Sequence, residues 1–354
     1  MNPPQDRRLW GEFEPSDGGR SARRVCCRAV ELSKGRIVQR ILPWLVSAAA
    51  LFWVFGSTDW RSLLERTREA DLFVFVAITM LDKAVFFLVW AFLQAEAIRR
   101  FVVPVSRLAV LQIRGGSELF RTVSNPLADA AFLLGVGRLT GGRLDAVVAA
   151  AVIPFLSHLL VLLAQATLAL PLLPGAVTEH RGVLMVVGTG WAIIGVAIVV
   201  LRSQTLRRLP GFSRAAAWLD QVPLRALAPF VGAFAALAAF DVLIQGLASR
   251  AFGIPLPWLE LIARIPILYL ALTVPSVGNF GVREAVWTGL FEDFAPHDAL
   301  TAFAFATNTI FLVLNVAIGV FFLRRAMSLL TVVRKTRKAG EEIPEPLLRD
   351  AIDP

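Results

Sequence analysis

Apolar runs of about twenty residues recur along the chain, each ended by a short charged, glycine-rich or proline-rich interruption. A run of that length is what an α-helix needs to cross the hydrocarbon core of a bilayer. The runs predict spans near residues 38–57, 72–97, 145–170, 182–201, 226–249, 258–274 and 299–323. A spanning β-barrel would show short segments of alternating polarity instead. The predicted fold class is therefore an all-α polytopic membrane protein. It is expected to have about eight transmembrane helices, with one or two broken or re-entrant segments.

Two stretches fail to fit a plain span. Leu108 to Gly137 is interrupted by Gly115-Gly116, Glu118, Arg121, Ser124-Asn125-Pro126 and Asp129. Neither half is long enough to cross comfortably, and both flanks are basic (Arg99, Arg100 and Arg107 before, Arg138 and Arg143 after). A re-entrant helical hairpin satisfies both facts. The second stretch is Thr273 to Leu290, TVPSVGNFGVREAVWTGL, with residues 281–293 expected to form a short helix. Irregular backbone at membrane depth survives only where it is buried in protein or lines a watery cavity. Ionisable groups at that depth mark functional sites by default.

Polar residues inside the spans extend this reading. Asp82 and Lys83 sit near the centre of the second span and point about 100° apart, so each needs its own partner on another helix. His158 and Gln165 share a face of the third span, where packing is the simpler role. Asp241 and Gln245 are four apart, as are Glu260 and Arg264, a spacing that allows side chains to meet. Thr301, Asn308 and Asn315 recur every seventh residue, with Gly319 a turn further on. That stripe suits either helix–helix hydrogen bonding or a substrate-facing surface.

Composition supports the membrane class. The 354 residues are 56% hydrophobic and 18% charged, with a mean hydropathy of +0.65. A soluble protein would carry about a quarter charged residues. The net charge of +9 comes mostly from arginines in loops that fall on one side if the chain crosses about eight times. Both termini are thus expected in the cytoplasm, in a bacterial-type inner membrane. The expected organisation is a disordered basic tail over 1–37, a membrane domain over 38–325 and a cytoplasmic tail over 326–354. The first tail has no apolar core, so no cleavable signal peptide is expected there. Residues 59–70 suit a short helix on the membrane surface. Cys26-Cys27 and three histidines offer no metal-ligand or disulfide spacing, so neither a metal nor a cofactor is expected. No stretch reads as the basic patch that nucleic acid would require.

The second interruption carries the chemistry. Pro275 and Gly278 break the helix and free backbone polar groups. Gly281 allows a sharp turn into a new helix, whose N-terminal N–H groups favour an anion. Arg283 adds a planar fork suited to phosphate, and Glu284 balances it or holds a cation or proton. The first interruption, RTVSNPLADAAF, has a loosely similar make-up. Two broken segments in corresponding halves point to an inverted repeat with a site between them. The candidate substrate-binding residues are Pro275, Ser276, Gly278, Asn279, Gly281, Arg283 and Glu284. Arg121, Asn125, Pro126 and Asp129 join them from the first break, with Asp241 and Asn308 from neighbouring spans. No second carboxylate or metal cluster clearly accompanies Glu284, so no catalytic residue is assigned, and an enzyme is the less favoured class.

PSVGNFGVREA resembles the proline, glycine and Arg-Glu-Ala signature of the lysylphosphatidylglycerol synthase transmembrane-region family, also called UPF0104 or flippase-like. The resemblance covers roughly 38–325 and carries over to Pro275, Gly278, Gly281, Arg283 and Glu284. Asn279 stands where the family often has a second glycine. The first break keeps Pro126, with Asp129 in place of the family's acid, but lacks its glycine pair. A divergent substrate is therefore expected. The resemblance implies movement of aminoacylated phospholipids between leaflets. For relatives without a soluble synthase domain it implies links to glycolipid, polyprenyl-lipid or hopanoid pathways. The expected function is a lipid translocator that moves an anionic, polyprenyl or glycolipid through a polar crevice between the two breaks. The alternatives are a membrane-embedded enzyme, or a subunit or scaffold of a lipid-linked biosynthetic complex. The expected partner is a membrane lipid head group, with a homo-oligomer or such a complex as further options.

Overall fold

A computed structural model describes residues 52, 56, 70–142, 144–173, 181–203, 224–272 and 276–339. The tail over 1–37, most of the first predicted span, the surface helix expected over 59–70 apart from its last residue, and Pro275 lie outside the described residues. So does the C-terminal tail beyond residue 339. The described residues form α1 (Leu72–Phe101), α2 (Arg107–Arg121), α3 (Asn125–Leu139), α4 (Leu144–Ala169) and α5 (Arg181–Arg202). These are followed by α6 (Ala228–Ala251), α7 (Trp258–Ala271), α8 (Val282–Phe291) and α9 (His297–Ala339). Among the described residues there is no strand. The protein is an all-α polytopic membrane protein.

Four helices are long and apolar enough to cross a membrane: α1, α4, α6 and α9. Helix α5 holds a shorter apolar stretch, Leu184–Val196. Helix α7 has 14 residues. At a rise of 1.5 Å per residue it is about 21 Å long, less than a hydrocarbon core of about 30 Å. The span expected over 258–274 is therefore a short helix. Helix α9 departs the other way, since it continues well past residue 323 to Ala339 and carries Arg324, Arg325 and Arg334 on extra turns. The outward faces of the long helices present large apolar side chains such as Phe73, Leu88, Val313 and Phe321. A lipid-facing surface needs that composition, whereas a soluble protein would avoid it.

The first interruption is a helix–break–helix hairpin, as expected, with the break at the Ser124-Asn125-Pro126 end of the stretch and not at Gly115-Gly116. Helix α2 runs unbroken through Gly115-Gly116. These glycines instead let α9 approach: a Cβ on Gly115 would collide with the Phe322 ring, and one on Gly116 would sit 3.0 Å from Ala326 Cβ. On the facing side, a Cβ on Gly319 would lie 2.7 Å from the Leu119 backbone nitrogen. Small residues at a helix contact allow this backbone approach in membranes. The chain turns instead at residues 122–124, where Ser124 is extended (φ −164°, ψ 135°) and Pro126 occupies the first turn of α3. A proline is tolerated there because no intrahelical N–H bond is lost.

One apolar core gathers Phe75, Phe252, Trp287, Phe291 and Phe303 around α8. A second joins α2, α3 and α4 to the far end of α9 through Ile113, Phe132, Val136, Val147 and Leu329. The two interrupted segments are thus each anchored by their own packed cluster, with polar residues left between them.

Candidate functional site

The backbone of the second break turns left-handed three times in four residues: Gly278 (φ 58°), Asn279 (φ 63°) and Gly281 (φ 82°). Glycine adopts this region freely, and asparagine is among the side chains that tolerate it best. Asn279 therefore keeps the backbone geometry of a glycine while adding an amide. Helix α8 starts immediately after. The Gly281 N–H donates to Glu284 Oε2 at 2.7 Å, and Asn308 Nδ2 donates to Glu284 Oε1 at 3.3 Å. Glu284 is fully buried. Its two oxygens cap α8 and tie it to α9.

Arg283 points elsewhere. Its guanidinium carbon lies 4.9 Å from the centre of the Phe311 ring, and its Nε has no hydrogen-bond partner among the described residues. Lys83 Nζ approaches the same ring at 5.9 Å. Two cations therefore share one aromatic side chain of α9.

The first break is held by a charge network. Glu118 accepts from Lys83 Nζ at 3.3 Å and from Arg121 Nε at 3.0 Å, with Arg114 Nε 3.4 Å away. Asp129 accepts from Arg114 Nη1 at 2.8 Å and Arg121 Nη2 at 3.1 Å. Glu118 is almost inaccessible (side chain 2% exposed), whereas Asp129 is open (52%). Arg121 also donates from Nη1 to Asn125 Oδ1 at 3.0 Å, so all of its nitrogens are engaged.

The two breaks meet. Asn125 Nδ2 donates to Asn279 Oδ1 at 3.0 Å across 154 residues of sequence. A Cβ on Gly278 would lie 3.1 Å from the Thr122 carbonyl oxygen. Around this junction lies a cavity of about 470 Å³. One wall is the charged network, with Arg283, Asp82 and Ser276 continuing it. The other is aromatic. Phe86 stacks between Trp90 (5.8 Å) and Tyr269 (6.1 Å), and His158 meets Trp90 edge-on at 5.2 Å. His158 is thus packed among rings, in line with the simpler role expected of it.

Most residues singled out from the sequence converge here. Arg121, Asn125, Pro126, Asp129, Ser276, Gly278, Asn279, Arg283 and Asn308 all line the cavity. Gly281 and Glu284 do not; they shape the start of α8. Asp241 also lies off the wall, where it accepts from the Tyr269 hydroxyl at 2.8 Å and so orients a lining ring. Lys83 finds the expected partner on another helix, Glu118, whereas Asp82 Oδ1 has no hydrogen-bond partner among the described residues. Glu260 and Arg264 pair at 2.7 Å, and Arg264 also donates to the Leu290 carbonyl. Thr301, Asn308 and Asn315 are all buried, and the last two reach the cavity. Arg114, Glu118, Trp90 and Tyr269 were not selected from sequence. For Arg114, Glu118 and Arg121 the signal was present, in spacings of four and three on one short helix.

The family model for the lysylphosphatidylglycerol synthase TM region matches residues 40–332. No curated protein and no solved structure matches the chain.

Proposed function

Because the chain belongs to the lysylphosphatidylglycerol synthase TM region family, we propose that it moves a lipid between leaflets of a bacterial-type inner membrane. The head group passes through the cavity between the two breaks while the acyl or prenyl chains stay in the bilayer. The observation that carries this reading is the composition of that cavity. It joins a charged wall to an aromatic wall inside a membrane domain, at the contact between two interrupted segments. Buried ionisable groups are costly in a bilayer and persist where they serve a path or a site. An amphipathic cargo needs both walls, one for its charged group and one for its less polar parts.

The motion expected is a rocking of one interrupted half against the other, with Asn125 and Asn279 parting as the cavity opens. In this reading Arg283 engages the anionic group of the lipid. The test is reconstitution of the purified chain into vesicles that carry fluorescent head-group-labelled or tail-labelled lipids, with movement read by quencher access. Transfer above that of empty vesicles is expected for an anionic, polyprenyl or glycosylated lipid, with a fall of at least about tenfold in Arg283→Ala. Transfer no faster than in empty vesicles across all three classes sinks the proposal.

A further inference from the structure

The charges on the cavity wall are not equally available. Glu118 and Asp129 already receive Lys83, Arg114 and Arg121. Of the four cations lining the cavity, Arg283 is the one with a buried nitrogen, Nε, that has no hydrogen-bond partner among the described residues, and its guanidinium lies over the Phe311 ring. The same cavity has other unsatisfied atoms. Asp82 Oδ1, Ser276 Oγ, Arg283 Nε and Asn315 Oδ1 lack a hydrogen-bond partner among the described residues, and all four residues line the same cavity. Each is more than nine-tenths buried: Asp82 3% exposed, Ser276 4%, Arg283 5% and Asn315 7%. Buried polar atoms are rarely left unpaired without a reason.

Their chemistry is asymmetric. Asp82 Oδ1 and Asn315 Oδ1 accept, Arg283 donates and carries charge, and Ser276 does either. A bare phosphate satisfies Arg283 but brings more acceptors to two atoms that need donors. An ammonium supplies donors but meets a wall whose formal charges, Lys83, Arg114, Arg121 and Arg283 against Asp82, Glu118 and Asp129, leave one positive charge over. Hydroxyl groups on a phosphodiester meet both demands. We infer that Asp82, Ser276, Arg283 and Asn315 form a head-group subsite for a phosphodiester lipid bearing free hydroxyls, a polyol or sugar phosphate. The Lys83–Glu118–Arg114–Arg121–Asp129 network is a preorganised frame beside it and not the anion site.

This inference rests on the reading of the cavity as a lipid path, but its test is independent of movement. Short-chain lipids are titrated into the purified full chain in detergent, with binding read by calorimetry and by fluorescence of Trp90 and the other tryptophans. Dihexanoyl phosphatidylglycerol and dihexanoyl phosphatidylinositol are expected to bind at least about tenfold tighter than dihexanoyl phosphatidate. Asn315→Ala and Ser276→Ala weaken the two hydroxyl-bearing lipids more than phosphatidate and so narrow that gap. Arg283→Ala weakens all three lipids. Equal affinity for phosphatidate, tightest binding of dihexanoyl phosphatidylethanolamine, or no effect of Arg283→Ala overturns the assignment. Selective binding without transfer in vesicles counts against translocation alone, and transfer without hydroxyl selectivity counts against the subsite alone.

Discussion

Glu118 anchors the charged network of the first break. Three cations converge on one carboxylate whose side chain is 2% exposed. Removing that charge leaves Lys83, Arg114 and Arg121 repelling one another in a poorly solvated setting, with Asp129 on the open side still pairing the two arginines. Breaking a buried ion pair by deleting one partner costs about 3–5 kcal/mol. Glu118→Gln is therefore expected to lower the unfolding temperature in detergent sharply. Asp129→Asn, at the exposed end of the same network, should lower it much less. Equal stability of the two variants would show that burial does not set the strength of this network. Glu284 illustrates the opposite lesson. It adjoins Arg283 in sequence, yet successive helical positions point about 100° apart. One therefore caps α8 while the other faces the cavity.

Among the elements, the α2–α9 contact governs how closely the first hairpin can lie to the long helix. It depends on glycines whose hydrogens stand where a methyl would collide. At Gly319 the nearest atoms are the nitrogen, Cβ and Cα of Leu119, at 2.7, 2.8 and 2.9 Å from an added Cβ, and none of them moves when a side chain rotates, so no rotamer change can relieve the clash. Gly319→Ala should therefore destabilise by about 1–3 kcal/mol through overpacking. Gly289, exposed on α8 with nothing within 4 Å of an added Cβ, is the matched control. There Gly→Ala should be neutral or stabilise by up to about 1 kcal/mol from helix propensity. Thermal unfolding of both variants in one detergent distinguishes a packing constraint from general intolerance of side chains.

In the assembled domain, a side-chain hydrogen bond from Asn125 to Asn279 joins the two interruptions. If translocation requires the halves to part, a covalent link there must stop it. With Cys26 and Cys27 replaced by serine, the Asn125→Cys, Asn279→Cys pair treated with a short bis-methanethiosulfonate cross-linker should lose lipid transfer in vesicles. Reductant should restore it, and each single cysteine variant should be unaffected by the reagent. Full transfer in the linked protein would place the moving element elsewhere.

Hydropathy alone located the long helices, because a bilayer demands about twenty apolar residues per crossing wherever they occur. It also exposed both interruptions, because proline, glycine and charge are conspicuous against that background. Nine of the thirteen candidate residues, Arg121, Asn125, Pro126, Asp129, Ser276, Gly278, Asn279, Arg283 and Asn308, line one cavity. Hydropathy could not assign α7 its true length, because an apolar sequence continues past the point where the helix ends. Nor could it separate Gly115-Gly116, which pack against α9, from Gly278 and Gly281, which turn the chain. A glycine has the same composition in either role, and only its neighbours tell them apart. The aromatic wall was equally hidden, since Trp90, Phe86 and Tyr269 look like ordinary lipid-facing residues until two helices bring them together. Local sequence thus determines where the backbone is interrupted. Which polar atoms are answered and which are left open is settled by contacts between segments more than a hundred residues apart.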